Sequence, residues 1–231
     1  MFQNVAGSSL GPCQVTKAFD LPGAERASST RIELLEDNRL SIELQQKMWG
    51  IGNWSYVLSS DSTEYSRFQA NPPRNAVLKI VGISGKVVAE RKLDAPLAKI
   101  DKLDVGDVAP CLFLLTVDHS VGFGSYAGLV TKILDPCSRQ LRDVKAADSS
   151  GGPEKPIVLS RAAKSDWRLG RSGGILEILA VVCQPKFEKQ QDFQISYVRY
   201  GLDNGRWMKF ERDTDGLWES GDEFPPRSSF P

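Results

Sequence analysis

The chain has 231 residues, 41% hydrophobic and 25% charged, close to ordinary globular usage, so a packed core is expected and disorder is not. Lys plus Arg and Asp plus Glu number 29 each, and the resulting zero net charge argues against a nucleic-acid binder driven by counterion release. No apolar run approaches the roughly 18–20 residues that span a bilayer, and Met1 to Ser9 has neither the basic nor the apolar region of a signal peptide. Met1 equally suits an expression start placed before a mature exported sequence.

Residues 1–29 read as an irregular segment rich in Gly, Ser, Pro and Ala, with one short strand over Cys13 to Phe19. Thr30 to Leu44 reads as a hairpin. Leu40, Ile42 and Leu44 alternate with polar residues, and Glu36-Asp37-Asn38 supplies turn chemistry. Trp54, Tyr56 and Leu58 mark a further strand within Met48 to Ser59, and Asp61 to Arg74 is a polar loop. Ala76 to Val81 and Lys86 to Leu93, joined by Gly82 to Gly85, form the clearest hairpin. Asp94 to Asp107 reads as a charged connector, with room for one helical turn near Pro96.

Val108 to Pro136 is the organising stretch. Its first half, Cys111 to Val117, is a short apolar run suited to a strand buried on both faces, and Ala127 to Leu134 supplies a second strand. Gln140 to Ala146 reads as a polar strand pairing back through the turn at Asp135 to Ser138. Ala147 to Pro156 is a linker, Ile157 to Ala162 a short strand and Leu176 to Val182 a core strand. Phe193 to Tyr200 and Arg206 to Arg212 form a last hairpin around Leu202-Asp203-Asn204-Gly205. The prolines of 221–231 mark a C-terminal arm laid on the surface. The domain expectation is therefore one all-β unit over 30–220, an irregular segment before it and the arm after it.

The hairpins share a layout of apolar strand, link, strand, turn and more polar return, with turn centres near 38, 84, 137 and 204. Such a repeat suggests a propeller-like arrangement of antiparallel modules; the irregular spacing keeps a β-sandwich or open barrel as the alternative.

Chemistry-bearing patterns are sparse. Cys13, Cys111, Cys137 and Cys183 form no C-x-x-C pair, and His119 is the one histidine, so no structural zinc site is expected. Four cysteines allow three disulfide connectivities. Cys111 and Cys137 flank the organising stretch and could staple it, whereas Cys111 and Cys183 also suit buried free thiols. Ser125 among glycines lacks the Gly-x-Ser-x-Gly spacing, and Asp118, adjacent to His119 on a strand, points to the opposite face, so no triad is assigned. Asp213-Thr214-Asp215-Gly216, with Glu219 and Asp222 nearby, is only a fragment of a calcium loop, and Gly170 to Gly174 lacks a phosphate-loop ending. No catalytic, metal or cofactor set is assigned. Arg161, Lys164, Arg168 and Arg171 read as a solvated loop. Trp49, Trp167 and Trp218, in expected loops, and Tyr65, Arg67 and Phe68, in the loop before Arg74, are the candidate partner-binding residues.

The segments Phe113 to Asp118 with Gly122 to Gly128, and Trp207 to Pro231, resemble uncharacterised exported β-rich proteins of Gram-negative bacteria. The resemblance covers about a third of the chain, carries no functional motif and implies no activity. Function is therefore reached by elimination. The expectation is a non-enzymatic binding protein, periplasmic or secreted with a cytoplasmic site left open, that grips a protein partner without nucleic acid or a membrane span. An inhibitor or immunity protein of a secreted hydrolase or toxin is its concrete form. The alternatives are a carbohydrate-binding module or glycan-active enzyme, and a calcium-dependent adhesin-like domain.

Overall fold

The computed structural model describes residues 13–21, 30–40, 70–105, 111–119, 127–186 and 192–231. Among these the chain is dominated by antiparallel strands in three sheets, with no closed barrel. The first sheet is a meander of β1 (Cys13–Asp20), β2 (Arg31–Asp37), β3 (Val77–Val81) and β4 (Val87–Lys92). In the second, β5 (Ala98–Leu103), β6 (Leu112–Asp118) and β7 (Leu129–Leu134) form a meander that β10 (Val158–Arg161) extends. The third runs β11 (Ser165–Ser172), β12 (Ile175–Pro185), β13 (Phe193–Asp203) and β14 (Arg206–Asp215). Two short strands, β8 (Lys145–Asp148) and β9 (Lys155–Pro156), complete it, and β8 pairs with β14 in parallel.

The second sheet is the middle layer, and β6 shows why. Successive side chains of a strand point to opposite faces. Phe113, Leu115 and Val117 pack with Ile32, Leu34, Leu78 and Ile80 of the first sheet. Leu112, with Leu114 beside it, packs toward Trp167, Ile178, Val198 and Trp207 of the third. A strand buried on both sides is apolar over most of its length, which is why Leu112 to Leu115 is so conspicuous in the sequence. Each such large side chain contributes about 1.5–3 kcal/mol by leaving water.

The C-terminal arm closes the outer face of the third sheet. Trp218, Phe224 and Phe230 are buried against Leu179, Val181, Cys183 and Ile195. Phe230 stacks on Phe224 at 5.8 Å and meets Tyr197 edge-on at 5.6 Å. Arg227 pairs with Glu177 at 2.5 Å, and Lys164 pairs with Glu219. The arm thus does more than lie on the surface: it supplies the fourth layer of side chains.

These layers fit a β-sandwich arrangement, and the ring of a propeller is not shown. Among the described residues no hydrophobic cluster joins the first sheet to the third. The hairpin of β3 and β4 is found as expected, as are β6, β7, β10, β12, β13 and β14. The turn between β13 and β14 has Asn204 and Gly205 at φ 49° and 78°, the left-handed pair that a two-residue hairpin requires.

Three expectations need correction. The connector after Asp94 is not a helical turn but contains β5, which pairs with β6 over its full length. Ala98 and Ile100 point into the core while Lys99 and Asp101 face out, so its apolar side is only half the sequence. The stretch from Gln140 does not form a full return strand to β7. Asp143 makes one bridge to Leu134, and the chain then leaves for the third sheet, where Ala146 and Ala147 are buried. The basic residues from Arg161 to Arg171 are not a loop, because β10 and β11 carry three of them. The short strand expected over Cys13 to Phe19 is found as β1, which is zipped to β2. The expected strand over Met48–Ser59, the loop 61–69 and the return over 41–44 lie outside the described residues.

Candidate functional site: a cleft at the seam of two sheets

Where the first and second sheets meet, the apolar seam ends in a cleft of about 200 Å³ lined by Arg91, Leu93, Asp94, Leu115, Val117, His119, Val130 and Lys132, with Lys92 at its edge. The register explains this set. Leu115 pairs with Lys132 and Val117 with Val130, so these four side chains share the face of the middle sheet turned toward the first. His119 follows Val117 with the same parity. On the opposing sheet Arg91 pairs with Leu78, a core residue, and so also points inward.

The floor is therefore aliphatic and the rim charged. Arg91 donates from Nη1 to Asp143 Oδ1 at 2.5 Å and from Nη2 to Oδ2 at 3.4 Å. Lys132 Nζ lies 3.7 Å from the same carboxylate, so one acid holds a cation from each sheet. In the same lining, His119 Nε2 stands 3.4 Å from Asp94 Oδ1. The ring is one-third exposed and the carboxylate is mostly in water, so this contact is weak. Chemically, the site offers a cationic pair able to share a carboxylate, an imidazole beside an acid, and a hydrocarbon floor.

The six residues singled out from sequence do not form this site. Trp49, Tyr65, Arg67 and Phe68 lie outside the described residues. Trp167 and Trp218, expected in exposed loops, are each 6% exposed. Trp167 sits on β11 inside the cluster between the second and third sheets, with Arg161 over its ring at 4.6 Å. Trp218 anchors the arm and donates its indole N–H to the Glu223 carbonyl at 3.3 Å. Neither offers a free binding face, because each fills a core gap that an aromatic ring suits.

The basic cluster is likewise engaged. Arg161 meets Asp166 at 3.0 Å, Lys164 meets Glu219, Arg168 lies over the Phe224 ring at 4.4 Å and Arg171 is 3.8 Å from Asp104. The calcium-loop fragment is tied up as well. Ser196 donates to Asp213 at 2.7 Å, and Asp215 pairs with Lys186. Cys111 and Cys137 form a disulfide with a Cα separation of 5.8 Å, whereas Cys13 and Cys183 are free. Asp135 stands beside that bridge and accepts from the Cys137 amide at 3.1 Å, which caps the short turn at Pro136–Ser138.

Sequence reading missed Arg91, Asp94 and Lys132, although a signal exists for two of them. Arg91 follows Ala89, and Lys132 falls between Val130 and Leu134, at positions whose period of two calls for apolar side chains. A cation at an inward position marks either a buried pair or a site. No protein-family model, curated protein or solved structure matches the chain, so the chemistry of the cleft rests on its own geometry.

Proposed function

We propose that the protein is an extracytoplasmic binding protein that holds a protein partner through the cleft at the seam of the first two sheets. One observation carries this reading: two cations, Arg91 from the first sheet and Lys132 from the second, face inward beside an aliphatic floor open to solvent. Recognition sites combine an apolar floor with a few convergent polar groups. The disulfide supports an oxidising compartment, periplasmic or secreted. A stack of short antiparallel sheets, the layout that a propeller repeats around a ring, suits a rigid support for such a seam. Inhibition of a secreted hydrolase or toxin, as by an immunity protein, is the concrete form of the proposal.

The test is a capture experiment from envelope extract with the wild-type chain and with Lys132→Glu, both shown to melt at the same temperature. The wild type should retain a specific partner and the variant should lose it; if the partner is a hydrolase, its turnover should fall on binding. Failure of the wild type to retain anything specific would sink the proposal, as would equal capture by the variant.

A further inference from the structure

Resting on that reading, we infer that the cleft takes the C-terminal residue of a polypeptide, an aliphatic side chain bearing a free carboxylate. Three observations point to this occupant.

The first is size. At about 200 Å³ the cleft falls below the roughly 300–1,000 Å³ of drug-sized sites and accepts about one residue. The second is the floor. Leu115, Val117 and Val130 are hydrocarbon, and the surface continues onto β10, where Val158 pairs with Lys132 and is 47% exposed. Directly paired residues share a face, so Val158 extends the apolar floor beyond the edge of the first sheet. The third is the charge arrangement. Arg91 and Lys132, from different sheets, already converge on one carboxylate, that of Asp143. The fold thus demonstrates the geometry by which these two cations share an anion. Asp143 enters through a single bridge to Leu134, beside the Val144 amide bonded to the Ile133 carbonyl, rather than through a strand.

An arriving carboxylate competes with Asp143 for Arg91 and Lys132, while its side chain covers the aliphatic floor. An internal residue of a partner, with no free carboxylate, satisfies the floor but not the cations. His119 and Asp94, 3.4 Å apart, also line the cleft, and their polarity suits the peptide backbone that trails out of it.

The probes are N-acetyl-leucine and its amide, titrated against the full chain by nuclear magnetic resonance or calorimetry. The acid should bind roughly tenfold more tightly than the amide, because a charge-assisted contact is lost in the amide. Lys132→Met, at a rim position about one-third exposed and shown to melt like the wild type, should abolish the difference between acid and amide. Asp143→Asn, which frees both cations, should tighten the acid and leave the amide unchanged. Equal binding of acid and amide by the wild type overturns the inference, as does an acid preference that survives Lys132→Met, or no binding of either at millimolar concentration. The two proposals fail separately. A captured partner indifferent to a blocked C-terminus removes the inference and leaves the binding function standing, whereas a chain that selects the acid but captures nothing does the reverse.

Discussion

Gly128 sits at the entry to β7, where a Cβ atom would lie 2.0 Å from the Arg161 carbonyl oxygen. No flexible side chain stands there to give way, since the obstacle is the backbone of β10. Gly128→Ala should therefore push β10 off β7 and cost about 1–3 kcal/mol, the usual range for forced overpacking; a urea melt with an unchanged midpoint would contradict this. Two adjacent acids on β2 make a pH argument of opposite signs. Asp37 is fully buried, and Arg39 and the Arg74 amide hold its carboxyl well below the usual carboxylate range. A lowered folded pKa gives stability that is present above the unfolded value of about 3.9 and lost as pH falls. For Glu36 burial dominates and pushes its carboxyl up, offset in part by hydrogen bonds from Thr16 and the Ala98 amide and by Lys99. Its stability contribution runs the other way, greatest below the ordinary value of 4.5 and lost as pH rises. Asp37→Asn should thus cost about 3 kcal/mol at pH 7, since it removes the buried carboxylate charge that Arg39 pairs with. Glu36→Gln should raise the melting temperature at pH 7 and leave it nearly unchanged at pH 4. A penalty for Glu36→Gln that is the same at both pH values would refute this assignment.

Strands differ in how plainly their sequence announces them, and burial decides which do. β6 and β12 are covered on both faces and read as continuous apolar runs. β5 buries Ala98, Ile100 and Leu103 beneath a polar outer row, and β11 carries Trp167 among arginines, so both pass for connectors. The cleft was less legible still, because Arg91, His119 and Lys132 meet only through the pairing of separate strands across two sheets. The disulfide, by contrast, could be named from sequence because Cys111 and Cys137 bracket β6 and β7. It closes a loop with a sequence separation of 26, for which chain-entropy arguments give about 3–4 kcal/mol. Cys111 lies in the core while Cys137 is exposed, so Cys137→Ser isolates the bridge with the least disturbance of packing. Urea melts of this variant, and of the wild type with reductant, should show the same loss. A reduced wild type as stable as the oxidised one would mean that β6 and β7 hold their register without the bridge.

The molecule as a whole is organised by a middle sheet that belongs to two cores. Leu115 and Leu112 are three residues apart on one strand, yet one packs only toward the first sheet and the other only toward the third. Because β6 carries both, loosening one face should be felt on the other if the ladder transmits it. Leu115→Ala removes a fully buried side chain and should cost about 2–5 kcal/mol. Native-state hydrogen exchange then separates two outcomes. In a single cooperative unit, amides of β12 and β13 lose as much protection as those of β2 and β3, although no atom of the third sheet's cluster was touched. In a stack of independent layers, the third sheet keeps its protection. The first outcome is expected, since β10 of the middle sheet contacts β11 of the third and runs into it through the bridge of Ala162 to Ser165. Leu112→Ala supplies the reciprocal measurement, and an effect confined to the third sheet in that variant would break the claim.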